Sequence, residues 1–341
     1  MAARAEKSLQ SKEPKNVATN EQEFSKFKYY LKRARQYFTS ASRIKQLILK
    51  IAMYVFLIGL AFVFVYPFLF MIITSLKSNA DLGNYAVKWI PTRLQFENYS
   101  IALEFMKYGQ YFKNTMIVTV LATLGHVVAC SFIGYGFARF NFPFKKLLFG
   151  CVMLAFIVPI QTLIVPMYLT YAKFGWRNTY LPLIVPTFFG FGLRGGLFIF
   201  LFRQFYLTLP RDLENAARID GCGFLQTYLR IVFPLGQSTM VVATVLSVVW
   251  HFNDDYEPSM YIDKAQMGFL PPRIGYIVGL ANSPPEVLYE TMEMLGLDDD
   301  TLNDAVIMAS AALICAPVIL FFAFAQRLFM EGIERSGITG E

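Results

Sequence analysis

Charge is scarce in this chain, and the scarcity is uneven. Asp, Glu, Lys and Arg make up only 16% of the 341 residues, against roughly a quarter in a soluble globular domain. Three apolar runs, 51–76, 114–138 and 147–172, hold no charged residue at all. A soluble fold is therefore excluded. Cysteine is also rare: Cys130, Cys151 and Cys315 lie in apolar runs, Cys222 lies in a polar loop, and none has metal-type spacing. The two histidines, His126 and His251, are far apart in sequence and read as hydrogen-bonding groups of a helix bundle. No GxxxxGK[ST] segment occurs, so the chain has no phosphate loop with which to bind ATP. Carboxylates are missing from the apolar runs except Asp254 and Asp255 at one end. A carrier driven by protons or sodium ions usually shows an ionisable group inside the membrane. There is no HExxH, no intramembrane carboxylate pair and no Ser/His/Asp set, so a membrane enzyme is disfavoured.

What the chain has is apolar length. Apolar residues reach 55%, and mean hydropathy is +0.44. A bilayer crossing takes about 20 apolar residues. Six runs qualify, at about 51–76, 114–138, 147–172, 179–203, 236–255 and 305–326. The fourth is interrupted by Arg194, the fifth follows Pro234, and the sixth follows the acidic "LDDDTLND". These runs predict an all-α integral membrane protein with about six transmembrane helices. The first run lies behind about fifty polar residues, the wrong place for a cleaved signal.

Lysine and arginine set the orientation. The first 50 residues hold twelve of them. With that end cytoplasmic, "ARFNFPFKK", the 203–235 loop and the C-terminus are cytoplasmic too, and these four segments carry 21 of the 31 basic residues. The expectation is a multi-pass prokaryotic plasma-membrane protein with both termini inside. Its net charge of +7 then reflects topology, not nucleic-acid binding. Domain boundaries follow: a basic tail 1–45, a membrane domain 46–335 and a short tail 336–341. Within the tail, "EFSKFKYYLKRARQYF" suits either a helix on the inner membrane surface or a soluble lead-in helix. The outer segment 256–304 is long and acidic, and reads either as a docking surface for an extracellular protein or as a solvated spacer.

The inner loop 208–235 is the most informative stretch. Thr208 and Pro210 suit a helix start. Leu213, Ala216 and Ala217 share one helical face, and Glu214 and Arg218 are spaced to pair on another. Gly221 and Gly223 break the helix. A second helix then aligns Phe224, Leu225, Tyr228, Leu229 and Val232 before Pro234. Such an element can fit a groove on a partner or pack under its own bundle.

The stretch "PRDLENAARIDGCGFLQTYLRIVFPL" resembles the EAA loop of permease subunits in bacterial ABC importers. Ala216, Ala217, Asp220, Gly221, Ile231 and Pro234 match that pattern. Asn215 stands at the glutamate position, with Glu214 just before it. "YPFLFMIITSLK", "WIPTRLQFENYSIAL", "NTMIVTVLATLG", "GYGFARFNFP", "VPIQTLIVPMYL", "NTYLPLIVP" and the tail "QRLFMEGIERSGITG" are similar to the carbohydrate-uptake branch, most of all the shorter maltose-type permease. Two features depart from it. Phe252 and Asp255 replace Trp and Phe in a Trp-Asn-Asp-Phe segment, and residues 265–303 are longer and more acidic.

The resemblance implies a type I ABC importer permease fold and a transport subunit, not an enzyme. Its implied partners are a second permease, an ABC ATPase dimer that binds ATP and Mg, and an extracellular solute-binding protein. Glu214, Asn215, Ala216, Ala217, Asp220, Gly221, Ile231 and Pro234 would then form the ATPase-coupling element, for import of a sugar or oligosaccharide. A polyol-like solute such as glycerol phosphate is the alternative cargo, and a self-contained secondary carrier a further one. Sugars are held by hydrogen bonds and aromatic faces, which makes Gln161, Tyr168, Asn253 and Tyr256 candidates for the solute path. Pro159 and Pro166 suit a kinked third span. Arg194 is expected to snorkel or pair toward the cytoplasmic side.

Overall fold

The computed structural model describes residues 41–295 and 301–335. The basic tail up to residue 40 and the tail 336–341 lie outside the described residues. Among those described, the chain is helical and contains no strand. In a bilayer every backbone polar group must be satisfied within the protein, and a helix does this within one segment. The chain forms two units, one ending at Leu69 and the other beginning at Phe70.

The first unit is the greater part of helix α1 (Ala41–Ser75). It begins ten residues before the apolar run, taking in Lys45 and Lys50. Its side chains from Ile51 to Leu69 are exposed, as suits a surface whose solvent is lipid.

The second unit is built around α3 (Tyr108–Arg139). Next to it lie α2 (Glu97–Phe105), α4 (Lys145–Ile157), α5 (Ile160–Lys173) and α6 (Leu181–Ile184), the last continuing as a 3₁₀ turn over Val185–Phe189. Then come α7 (Gly195–Thr208), α8 (Asp212–Ile219), α9 (Phe224–Thr227), α10 (Gln237–Phe252) and α11 (Tyr256–Tyr261). The unit ends with α12 (Leu270–Ala281), α13 (Pro285–Leu295) and α14 (Asp304–Arg335). Helix α3 packs most extensively on α7 and α10, and α14 packs on α10 and α2. Small residues set these approaches. A Cβ on Gly134 would stand 2.7 Å from the Phe202 side chain and 2.9 Å from the Arg203 amide nitrogen.

Two of the six expected spans are broken. The third is α4 plus α5, bent by 99° at Val158–Pro159. Proline lacks an N–H and disfavours helical geometry in the residue before it, and Val158 is extended. The fourth is interrupted between Phe189 and Gly195, where Gly190, Gly192 and Arg194 all have positive φ. The fifth, α10, meets the inner-loop helices at 75°. Among the described residues three helices are individually long and apolar enough to cross, or five if each bent pair is one span.

The outer segment is not a solvated spacer. Leu270, Ile277, Leu280 and Met292 are buried in one core with Phe105, Tyr111, Phe252 and Val306. Among its described residues, Glu286, Glu290 and Glu293 are exposed on α13; the acidic residues 298–300 lie outside the described residues.

Candidate coupling site at the inner loop

The inner loop folds as α8, a turn, then α9 continuing through a π turn over Tyr228–Val232 and a last turn Phe233–Leu235. Thr208 does not cap α8; its hydroxyl donates to the Phe205 carbonyl at 2.7 Å and closes α7. Gly221, with φ of +80°, makes the turn between α8 and α9. That conformation costs about 1–2 kcal/mol for a residue with a Cβ.

Glu214 does not pair with Arg218. It is buried and forms an ion pair with Arg139, the last residue of α3. Tyr135, one turn earlier on α3, donates its hydroxyl to Glu214 Oε2 at 3.2 Å. Arg139 Nη2 donates to the Leu209 carbonyl at 2.7 Å, just before α8 begins. Charge-assisted bonds of this kind are roughly twice as strong as neutral ones. The clasp extends upward, where the Tyr228 hydroxyl donates to Ser131 Oγ at 2.9 Å and Ser131 also bonds the Tyr206 hydroxyl. Tyr135 stacks on Phe224, with centroids 5.4 Å apart and planes at 8°. The expected apolar face of the second helix is thus split by the π turn. Tyr228 and Val232 are buried, whereas Leu225 and Leu229 are exposed.

The coupling candidates divide accordingly. Glu214 and Ala217 face the bundle, whereas Asn215, Ala216, Asp220, Gly221 and Pro234 are exposed and Ile231 is half-buried. Ile219, 86% exposed, is the most prominent apolar group of the loop. Neither Arg139 nor Tyr135 stood out from the sequence. Their signal was a cation one turn beyond a tyrosine at the end of a span, in "YGFAR".

The solute-path candidates do not form one cluster. Gln161 lines a cavity of about 500 Å³ between the two broken helices, with Arg194 among its other lining residues. Tyr168, seven residues further along α5, packs with Tyr256 against a separate outer core of Tyr171, Tyr261 and Phe269. The Arg177 guanidinium lies 5.0 Å from the Tyr168 ring centre. Asn253 is exposed and donates to its own helix at the Val249 carbonyl, 2.8 Å away. Pro166 sits inside α5; the major bend is at Pro159.

Arg194 stands at the start of a helix and not within one. Helix α7 runs 14 residues from Gly195 to Thr208, about 21 Å at 1.5 Å per residue, and Arg194 lies at the opposite end of it from the loop 208–235. His126 and His251 are indeed hydrogen-bonded to each other, ring nitrogen to ring nitrogen at 3.2 Å.

Just outside α10, Glu257 is 5% exposed, and no cation pairs with it among the described residues. Burial, with Asp254 nearby, pushes its carboxyl well above the ordinary carboxylate range.

A family model described as binding-protein-dependent transport system inner membrane component matches residues 130–335. The melibiose/raffinose/stachyose import permease protein MelC of Bacillus subtilis is 30% identical over 277 residues, covering 80% of this chain and 91% of that protein. The osmoprotective compounds uptake permease protein GgtD of Synechocystis is 28% identical over 293 residues, covering 83% and 90%. A solved bacterial ABC transporter involved in import of the acidic polysaccharide alginate shares the fold, with a TM-score of 0.67 and 18% identity. That match covers 85% of this chain and 98% of the other.

Proposed function

We propose a function from one established premise: the chain belongs to the family of binding-protein-dependent transport system inner membrane components. It is a multi-pass permease component of an ATP-driven importer, a transport subunit and not an enzyme. We assign its cargo to sugars or short oligosaccharides, the class named for MelC and for the arabinooligosaccharide permease AraQ of Bacillus subtilis.

Coupling to a separate ATPase, which would bind ATP and Mg, is assigned to the surface of the inner loop. The observation that carries this is the division of labour within α8. Glu214 anchors the helix to α3, and the opposite side offers Asn215, Ala216, Ile219 and Asp220 outward. An amphipathic helix held rigidly on one side and presenting small and apolar groups on the other fits a groove. ATPase closure would then move α8 and, through Arg139 and Tyr135, α3. In this reading the loop and both termini are cytoplasmic. A second permease completes the solute path, and an extracellular binding protein delivers the cargo. The exposed acidic stripe Glu286, Glu290 and Glu293 on α13 is a reasonable contact for that protein.

The test is a crosslink from the exposed tip of the coupling helix. Ile219→Cys, with Cys222 replaced, is expressed with the partner permease and ATPase. A crosslink to the ATPase that changes with ATP supports the assignment. No crosslink in a transport-competent complex would refute it. Ala217 is buried and is unsuitable as the probe position.

A further inference from the structure

We propose that the cavity between the two broken helices is a subsite for an anionic group, carboxylate or phosphate, on the transported solute, held by Arg194 and the amino ends of α5 and α7. The proposal rests on the importer reading above and names a substrate class for it.

Depth is the first argument. Helix α4 has 13 residues from the cytoplasmic side to the break at Val158, about 20 Å. Helix α7 gives about 21 Å between its inner end and Arg194. Measured along α4 and α7, the two breaks therefore lie at similar distances from the opposite ends of those helices, about two-thirds of the thickness of a hydrocarbon core of about 30 Å. They also face each other, since Val158, Pro159 and Gln161 line the same cavity as Gly192, Arg194 and Gly196.

Chemistry is the second. The first-turn amides of a helix have no acceptor within the helix, and a helix amino end carries partial positive charge. Two such ends meet here, one at Ile160 and one at Gly195; the Thr162, Gly195 and Leu197 amides already donate to the Pro159, Gly192 and Arg194 carbonyls, so these ends act mainly through their partial charge. A Cβ on Gly196 would stand 2.8 Å from the Val152 carbonyl oxygen, so the glycine allows α7 to begin hard against α4. Arg194 adds a full charge. Its guanidinium lies 5.0 Å from the Trp250 ring centre, and no carboxylate pairs with it among the described residues. No acidic side chain lines the cavity.

The volume, about 500 Å³, is in the range of small-molecule sites. An intramembrane cation normally has a partner, and the fork of a guanidinium matches a carboxylate or phosphate in two parallel hydrogen bonds. A neutral sugar would leave that charge unmet.

The experiment uses the importer assembled with its partner permease and ATPase in phosphatidylcholine proteoliposomes. Gln161→Cys serves as reporter, with Cys151, Cys222 and Cys315 replaced. Modification rates are compared for an anionic sulfonatoethyl and a cationic trimethylammonioethyl thiosulfonate reagent. The expected result is a preference for the anionic reagent of about tenfold or more relative to a surface cysteine. Arg194→Gln should abolish it and Arg194→Lys should keep most of it. Digalacturonate should slow the reaction while the neutral galactose disaccharide does not.

Absence of charge preference would overturn the proposal, as it would if a carboxylate of the partner permease already neutralised Arg194. Equal protection by the neutral sugar would also overturn it. So would protection by added phosphatidylglycerol but not by digalacturonate, because the site would then belong to lipid. The Ile219 crosslink is run on the same variants. If it persists while the charge preference is absent, only this inference fails; if it too is lost from the transport-competent parent, the importer reading fails.

Discussion

Arg139 and Arg194 sit on neighbouring helices, one at the end of α3 and the other just before α7, and they are treated in opposite ways. Arg139 is buried, paired with Glu214 and bonded to the Leu209 carbonyl. Arg194 is exposed to a cavity, with an aromatic face beside it and no carboxylate among the described residues. A charge whose partners all come from the same chain holds that chain in one shape. A charge left open inside a membrane is costly for the fold alone, and so points to something that arrives. Glu257 is a third case, a buried carboxyl with no cation paired to it among the described residues, and burial with Asp254 nearby pushes its pKa upward.

Removing one half of the satisfied pair should have the largest effect. Arg139→Ala leaves Glu214 buried and uncompensated, at a cost of about 3–5 kcal/mol. Thermal unfolding of the detergent-solubilised complex reads this loss, and the Ile219 crosslink should weaken with it. The double variant Arg139→Met/Glu214→Leu should recover most of the stability, since a well-packed apolar pair can replace a buried ion pair. Simple addition of the two single-variant losses would show that the two residues are not coupled, and the contrast with Arg194 would collapse.

The buried carboxyl comes next, through pH. Between its ordinary value of 4.5 and about 8, the folded state holds a proton at Glu257 that the unfolded state has released. Stability therefore falls as pH rises through that window, by up to about 1.4 kcal/mol per pH unit. Melting curves between pH 5 and pH 8 should show the slope, and Glu257→Gln should flatten it. A slope unchanged by that substitution would assign the titration elsewhere.

A comparable but local loss is expected at the turn. Gly221→Ala imposes positive φ on a residue with a Cβ, costing about 1–2 kcal/mol. Space is not the obstacle, since nothing lies within 4 Å of the added atom. The loss should appear as reduced ATPase stimulation by solute with unchanged membrane insertion. Equal loss in Gly223→Ala, where φ is −71°, would point to a cause other than backbone geometry.

The smallest stability effect belongs to the open arginine. Arg194→Gln should not lower the melting temperature, since no ion pair is lost with it, while removing the anion preference of the cavity. A loss approaching that of Arg139→Ala would make Arg194 structural too.

Sequence alone determined the class of molecule. Apolar length, the missing carboxylates and the basic bias of four segments require a helical membrane protein, because the bilayer imposes these patterns residue by residue. It also marked out the loop 208–235, whose glycine turn and helical spacing are local features. Only the tertiary structure decided which way each loop residue faces. Glu214 turned inward because Arg139, 75 positions earlier, waits at the end of α3. The same holds for the breaks. Pro159 and Arg194 announced local irregularity, but the meeting of the two breaks across one cavity is a property of packing between distant segments.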